Sequence, residues 1–501
     1  MELRLFQNAW SNLLGAAVPA LAALATVPLI VAGLGEANYG VYALVTAIVG
    51  YFAVIDINVT AGSVKYIAAQ HARAEPERIA ETLSFGSAVY ALIGAVGGVG
   101  LFCGAQWLVT AVFTVPPGLQ REAGASLQLA ALGFFLGQLQ SYLHSVPQAL
   151  MRFDVSGRLE MVFGTLVPLL TVAVLLLGYG LFEVIAVRVA ASGLHCLLLW
   201  RGIGRLMPGL HWSWPGRELR AGILGFSAYS FLSRFAALSY AHADKLIIGA
   251  LVGATGLAYF TVAATLANRV LGLSFRLSGV VFPAASMLAA GGELARLDEV
   301  YVKATRYVVY LNAAMLVLLA VFAEPLLRYW MNPEFALEGA TVLAVMALAQ
   351  FVDSLTSLPS LVNDGMGHPR ISGLFAVARA LAGMAIVYLG VAGWGIAGAA
   401  WGHLLASILF TTAFLVFVHG RTVPTSLLRL CRHGFLPGMA GTAGVALAAA
   451  AAEHWLHRGA LDFVLIVAAT VVLLGLAGML FVVEGEDRRW AWARFRALAG
   501  G

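Results

Sequence analysis

Five arginines stand inside stretches of chain that are otherwise apolar enough to cross a membrane: Arg188, Arg234, Arg269, Arg276 and Arg379. A guanidinium keeps its charge and presents two parallel N–H donors, the geometry that grips a phosphate. Charge inside a membrane span is costly, so it is rarely placed there without a task. Lining one cavity, these side chains would suit an anion, whose charge is the hardest part to move through a bilayer. Carboxylates within the same stretches are fewer. Asp353 and Asp244 are the two placed to take up a proton or sodium ion, and so to couple movement to a gradient of either.

Polar residues around these charges recur at helical spacing. Ser227, Ser230, Arg234, Ala237, Ala241 and Asp244 fall on one face of a helix, as do Asp353, Ser357, Ser360 and Asp364. Gln138, Ser141, Ser145, Gln148 and Arg152 form a third such stripe. Faces of this kind do not look at lipid. They line a watery path, with Gln138, Ser141, Ser227, Ser230 and Ser357 as its polar lining, or they are tight helix crossings that small residues permit. Plainer roles are open for several charges. Arg234 pairs structurally with an acid such as Asp353, Arg276 snorkels to the interface, Asp56 caps a turn, and Asp244 pairs locally with Lys245. His195 and His403 read as packed interface residues. No phosphate-binding glycine loop, nucleophile elbow or paired metal ligands occur, and Cys103, Cys196 and Cys431 are scattered. The expectation is a protein that is not an enzyme and holds no cofactor or metal.

The elements that carry these residues are membrane helices. The chain has 501 residues, 61% of them hydrophobic and 11% charged, with mean hydropathy +0.88. A soluble domain carries about 25% charged residues. Apolar stretches of about 20 residues number about fourteen. The second lies at roughly 39–60, the eighth at roughly 254–280, the tenth at roughly 338–362, and the eleventh and twelfth at roughly 371–391 and 394–418. Arginine and lysine concentrate in alternate loops, which puts both termini in the cytoplasm. The formal charge of +5 is therefore a topology signal, and no nucleic-acid partner is expected. From Glu484 onward arginines alternate with Trp490, Trp492 and Phe495, as an interfacial anchor would.

The spans come twice over. "GLGEANYGVYALVTAI" (Gly33 to Ile48) has a counterpart in "LVGATGLAYFTVAATL" (Leu251 to Leu266), and "SVPQALMRFD" (Ser145 to Asp154) in "SLPSLVNDG" (Ser357 to Gly365). The two halves are offset by about 217 residues, and a duplicated membrane chain places its path between the halves. The expected organisation is all-α and polytopic: a six-helix lobe at 1–203, a cytoplasmic linker at 204–219, and a second six-helix lobe at 220–420. Two added helices at 430–484 and a basic, aromatic cytoplasmic tail at 485–501 complete it.

"LGEANYGVYAL" with "YFAVIDINVTAGSVKYIA" (Tyr51 to Ala68) resembles the opening signature of the polysaccharide-biosynthesis exporters, the O-antigen flippase family of the MOP (MATE-like) superfamily. "HADKLIIGALVG" (His242 to Gly253), "DGMGHPR" (Asp364 to Arg370) and "GWGIAGAAWG" (Gly393 to Gly402) fit it too, so that the resemblance covers essentially the whole chain. It implies a flippase that carries a polyprenyl-diphosphate-linked oligosaccharide from the cytoplasmic to the outer leaflet of the inner membrane. Such a protein works by alternating access, as a monomer, and a polysaccharide polymerase is its expected partner. A lipid II flippase and a drug/cation antiporter share the superfamily and are the alternatives.

Overall fold

In the computed structural model every element among the described residues is helical. The described residues are 2–53, 56, 58–150, 152–209, 211–271, 285, 287–288, 291–485 and 487–489; side chains are described for these apart from 2–17, 153, 225–226, 228–241 and 270–271. Eight helices are long and apolar enough to cross a membrane, and Val18–Leu34 is a shorter apolar one. The protein is an all-α, multi-pass membrane protein. Each expected span coincides with helix, the eighth as far as Leu271.

The chain forms two compact units, Met1–Tyr259 and Phe260–Gly501. The first holds α1 (Glu2–Leu34), α2 (Glu36–Phe52), α3 (Val59–Ala72), α4 (Pro76–Trp107), α5 (Gln120–Ala149), α6 (Phe153–Leu176), α7 (Leu181–Leu206) and α8 (Arg217–Leu251), and α9 (Ala254–Leu271) begins in it. Helix α5 packs between α4 and α7, and α8 packs on α2 and α3. Val59, Tyr90, Tyr142, Leu199 and Ile223 are buried together there. The first helix of the second repeat thus completes the first unit, and the packing boundary lies at Tyr259 while the sequence repeat turns over near 204–219. The duplication is visible in the backbone. Gly35 (φ 75) and Gly253 (φ 102) both take a positive φ ahead of α2 and α9.

The second unit holds α10 (Leu294–Val321), α11 (Ala323–Trp330), α12 (Pro333–Ser354), α13 (Ser357–Gly365), α14 (Pro369–Arg421), α15 (Leu427–Leu430), α16 (Leu436–Leu456) and α17 (Ala460–Ala477). Tyr301, Val309, Phe351, Val362 and Phe414 form its core. Helix α14 contains two spans, divided by a sharp kink at Trp394 and Gly395.

Among the described residues the second and tenth spans are broken at polar residues, where an unbroken apolar run predicts one helix each. The second stops at Phe52 and resumes at Val59 as α3. The cause is local. Asn58 takes a left-handed φ of 58°, which asparagine tolerates. Asp56, 1% exposed, accepts from the Asn58 N–H at 2.8 Å and from the Tyr90 hydroxyl at 2.7 Å. Asp56 is the turn residue that the sequence suggests. The tenth span breaks at Leu355 and Thr356, between α12 and α13.

The segment after α17 does more than rest on a headgroup layer. Lys303 on α10 reaches Asp487 at 2.7 Å and Glu484 at 3.3 Å, Arg306 reaches Glu484 at 3.1 Å, and the Tyr307 hydroxyl donates to Asp487 at 2.6 Å. Trp490, Trp492 and Phe495 lie outside the described residues. Hydrogen bonds from Lys303 and then Tyr307 hold the Asp487 carboxyl below the usual carboxylate range. A depressed carboxyl contributes stability above its unfolded pKa, about 4, and loses it as pH falls through the lower folded value. Amide protection across residues 484–489, taken relative to the free-chain exchange rate at each pH, is therefore expected to hold from neutral pH down to about pH 4 and to fall below it. Asp487→Asn should show the lowered protection at pH 7. Equal exchange in the variant and the wild type at pH 7 would remove Asp487 from the docking.

Candidate functional site

The break in the tenth span organises one half of the charged machinery. Pro359 has no N–H to give the carbonyl of Leu355, so the hydrogen-bond ladder lacks a donor at the break. Hydroxyls take up the carbonyls around the break. Ser354 donates to Phe351 O at 2.6 Å, Thr356 to Asp353 O at 2.8 Å, and Thr411 of α14 to Val352 O at 3.4 Å. Discontinuous helices of this kind are where transporters build their binding sites.

Asp353 sits at the end of α12, 8% exposed, and is ion-paired with Arg379 of α14. The same Arg379 nitrogen reaches Ser407 Oγ at 3.2 Å. Asp353 Oδ1 and the hydroxyl of Ser357, 5% exposed, make no hydrogen bond among the described residues. Two buried polar atoms one helical turn apart are thus left with acceptor or donor capacity in hand. The partner of Asp353 is Arg379, where the sequence suggested Arg234.

In the first unit Arg188 of α7 is half-buried and held without a carboxylate. Its Nη1 donates to the Tyr42 hydroxyl of α2 at 2.5 Å, and its guanidinium carbon lies 5.4 Å from the centre of the Tyr42 ring. Tyr39, one turn earlier, packs against Tyr42 with ring centres 5.8 Å apart. A cation over an aromatic face is attracted by the ring but keeps its net charge. Among the described residues Arg188 has no ion pair, so it retains a positive charge for a ligand.

Other expected site residues fall elsewhere. Arg269 of α9 is exposed, so it is no buried arginine. Asp244, in α8, accepts from the backbone N–H of Lys245 at 2.7 Å and lies 3.8 Å from its ammonium, which makes the local pair. Ser227 donates back to Ile223 O at 2.8 Å and fills the space left by Gly62 of α3, so it lines a helix crossing. Gln138 is buried, whereas Ser141, from the same stripe, is exposed. The side chains of Arg234 and Ser230, and Arg276 altogether, lie outside the described residues. His195 stacks on Phe163 at 4.4 Å, a packed residue as expected. An apolar groove of about 570 Å³ opens along α4 and α5, beside Gly94, Gly98, Phe102, Leu132 and Phe135. None of the expected site residues lines it.

Nothing in the sequence singles out Tyr42, Tyr39 or Ser407 as partners of a charge. A tyrosine or serine in an apolar helix has the same look whether it packs or holds a charge, and only Arg188 and Arg379 could have pointed to their neighbourhoods.

The profile of a family described as polysaccharide biosynthesis protein matches residues 34–336. The chain belongs to that family. A Shigella flexneri relative named "Putative O-antigen transporter" is 20% identical over 408 residues, 79% of this chain and 94% of its own. Among solved structures, the lipid II flippase MurJ in an inward closed conformation is similar with a TM-score of 0.74 at 12% identity, over 93% of this chain and 98% of its own. An inward-facing multidrug resistance MATE transporter of the MOP superfamily is similar with a TM-score of 0.66 at 14% identity, over 82% of this chain and 98% of its own. At these identities the structures show a shared fold.

Proposed function

We propose that this member of the polysaccharide biosynthesis family is a flippase. It moves a polyprenyl-diphosphate-linked oligosaccharide from the cytoplasmic to the outer leaflet of the inner membrane, for surface polysaccharide assembly. The observation that carries this is Arg188: a guanidinium within a span, held by a tyrosine and left uncompensated among the described residues. An intramembrane charge of that kind is a site for an oppositely charged partner, and a diphosphate is the anionic part of such a cargo. The lipid tail stays in the bilayer while the two repeat-related lobes alternate access. The protein works as a monomer, with both termini cytoplasmic and a polysaccharide polymerase receiving the cargo. Coupling to a proton or sodium gradient runs through Asp353 or Asp244.

A drug/cation antiporter on the same fold is disfavoured, because a cationic cargo wants uncompensated carboxylates. Asp353 and Asp244 each face a basic side chain instead. A lipid II flippase handles the same diphosphate chemistry, and the experiment separates it.

Arg188→Ala is expected to reduce export of surface polysaccharide by at least about 30-fold at normal protein abundance, since losing one partner of a desolvated charge pair costs about 2–5 kcal/mol. Arg188→Lys should restore part of the export, because it keeps the charge without the bidentate fork. Full export in Arg188→Ala would sink the cationic site. Normal surface polysaccharide in a deletion strain that fails to grow would point to lipid II as the cargo.

A further inference from the structure

The pairing of Asp353 with Arg379 leaves the second unit's cation masked. Arg379 Nη2 cannot turn to a phosphate while it is paired with the carboxylate and bonded to Ser407. The carboxylate stands at a break between two half-helices, buried, with one oxygen making no hydrogen bond among the described residues. Ser357 Oγ, one turn on, is in the same position.

We propose that Asp353 and Arg379 form a proton-controlled switch for a phosphate anion. A proton taken up on the Asp353 carboxylate removes its charge, the ion pair opens, and Arg379 turns to a phosphate oxygen of the cargo. One proton binds with one anion, and no other bond is made or broken. This rests on the flippase reading and gives it a sign. Proton and diphosphate bind together at this site, so each raises the affinity for the other.

Other charged groups stand around the carboxyl, and His403 is the titratable one within its reach. On α14, His403 lies one turn before Ser407, within electrostatic reach of Asp353, and near the Phe260 ring. On α10, Lys303 and Arg306 are engaged by Glu484 and Asp487, and the buried polar residue further along is the uncharged Asn312. Glu324 and Arg328 of α11 pair with each other at the surface. On α13, Asp364 accepts from Ser372 at 2.6 Å.

The test uses the full-length protein in lipid nanodiscs with farnesyl diphosphate, a short water-soluble polyprenyl diphosphate. Titration calorimetry at pH 7.5 in two buffers of different ionisation enthalpy counts the protons exchanged on binding. A fixed cationic site would lower the pKa of the bound phosphate, giving proton release or none. The switch gives net uptake of up to one proton, and an affinity that falls by up to about tenfold per pH unit as pH rises. Asp353→Asn should bind without uptake and with that slope removed. Release or no exchange in the wild type overturns the switch and leaves the flippase reading standing, as does uptake that persists in Asp353→Asn. Failure of the wild type to bind any polyprenyl diphosphate overturns both. Should Asp353→Asn not fold, Asp353→Ser takes its place as the variant without a carboxyl, with the same two outcomes.

Discussion

Arg379→Ala is expected to destabilise the second unit by about 3–5 kcal/mol, the loss that follows when one partner of a buried ion pair is removed. Asp353 and Arg379 have side chains only 11% and 20% exposed, so water screens little of the charge left behind. The variant must either protonate Asp353 at neutral pH or disrupt the packing between α12 and α14 to let water in. Replacing both partners by apolar residues of similar size, Asp353→Leu with Arg379→Met, should recover most of the loss, because the desolvation cost of both charges disappears with them. The fraction of protein that stays monodisperse after heating, followed by size-exclusion chromatography, reads the order: wild type and double variant close together, single variant well below. A single variant within about 1 kcal/mol of the wild type would mean that the pair behaves like an exposed one. The double variant also separates stability from transport, since it should fold and yet export poorly.

The helices were legible in the sequence because a bilayer imposes one length on every span. Helix forms at each apolar run, from α1 to α17. The breaks were not legible, because an apolar run looks the same whether or not its hydrogen-bond ladder is continuous. At Asp56 the interruption depends on Tyr90, thirty-four positions away, whose hydroxyl completes the turn. At Thr356 it depends on hydroxyls, one of them Thr411 from another helix. The candidate site shows the same division. Charge in a span announces itself, so Arg188, Arg379 and Asp353 stand out. What each charge does is decided by partners that look like packing residues or lie far along the chain. Equal sequence signals at Arg188 and Arg379 lead to opposite states, one cation held by a tyrosine and the other masked by a carboxylate. Arg269 carries the same signal again and is exposed.

Gly40→Ala is expected to damage the first unit more than a single methyl group suggests, and Gly40→Leu to prevent its assembly. Gly40 lies in the first repeat motif and Ala254 in the second, and there the two helices meet backbone to backbone. A Cβ on Gly40 would stand 1.8 Å from the Ala254 carbonyl oxygen and 2.3 Å from its carbon. No rotamer relieves that overlap, because the obstructing atoms are main chain, so α2 and the start of α9 must separate. Separation strains the neighbouring contact, in which the Tyr259 hydroxyl donates to Glu36 at 2.5 Å. It also displaces Tyr39 and Tyr42, which lie one residue before and two residues after Gly40 on α2, and Tyr42 is the partner of Arg188 on α7. Overpacking by a methylene ordinarily costs about 1–3 kcal/mol, and a backbone obstruction places Gly40→Ala at the upper end. Gly100→Ala is the matched control: it is a helical glycine whose added Cβ meets nothing within 4 Å, and alanine is the better helix former. Heated samples should lose Gly40→Ala first, with Gly100→Ala no worse than the wild type. If Gly40→Ala proves as heat-resistant as Gly100→Ala, the close approach of the two repeat motifs is not what holds α2 in place, and the positioning of Arg188 must come from α7 alone.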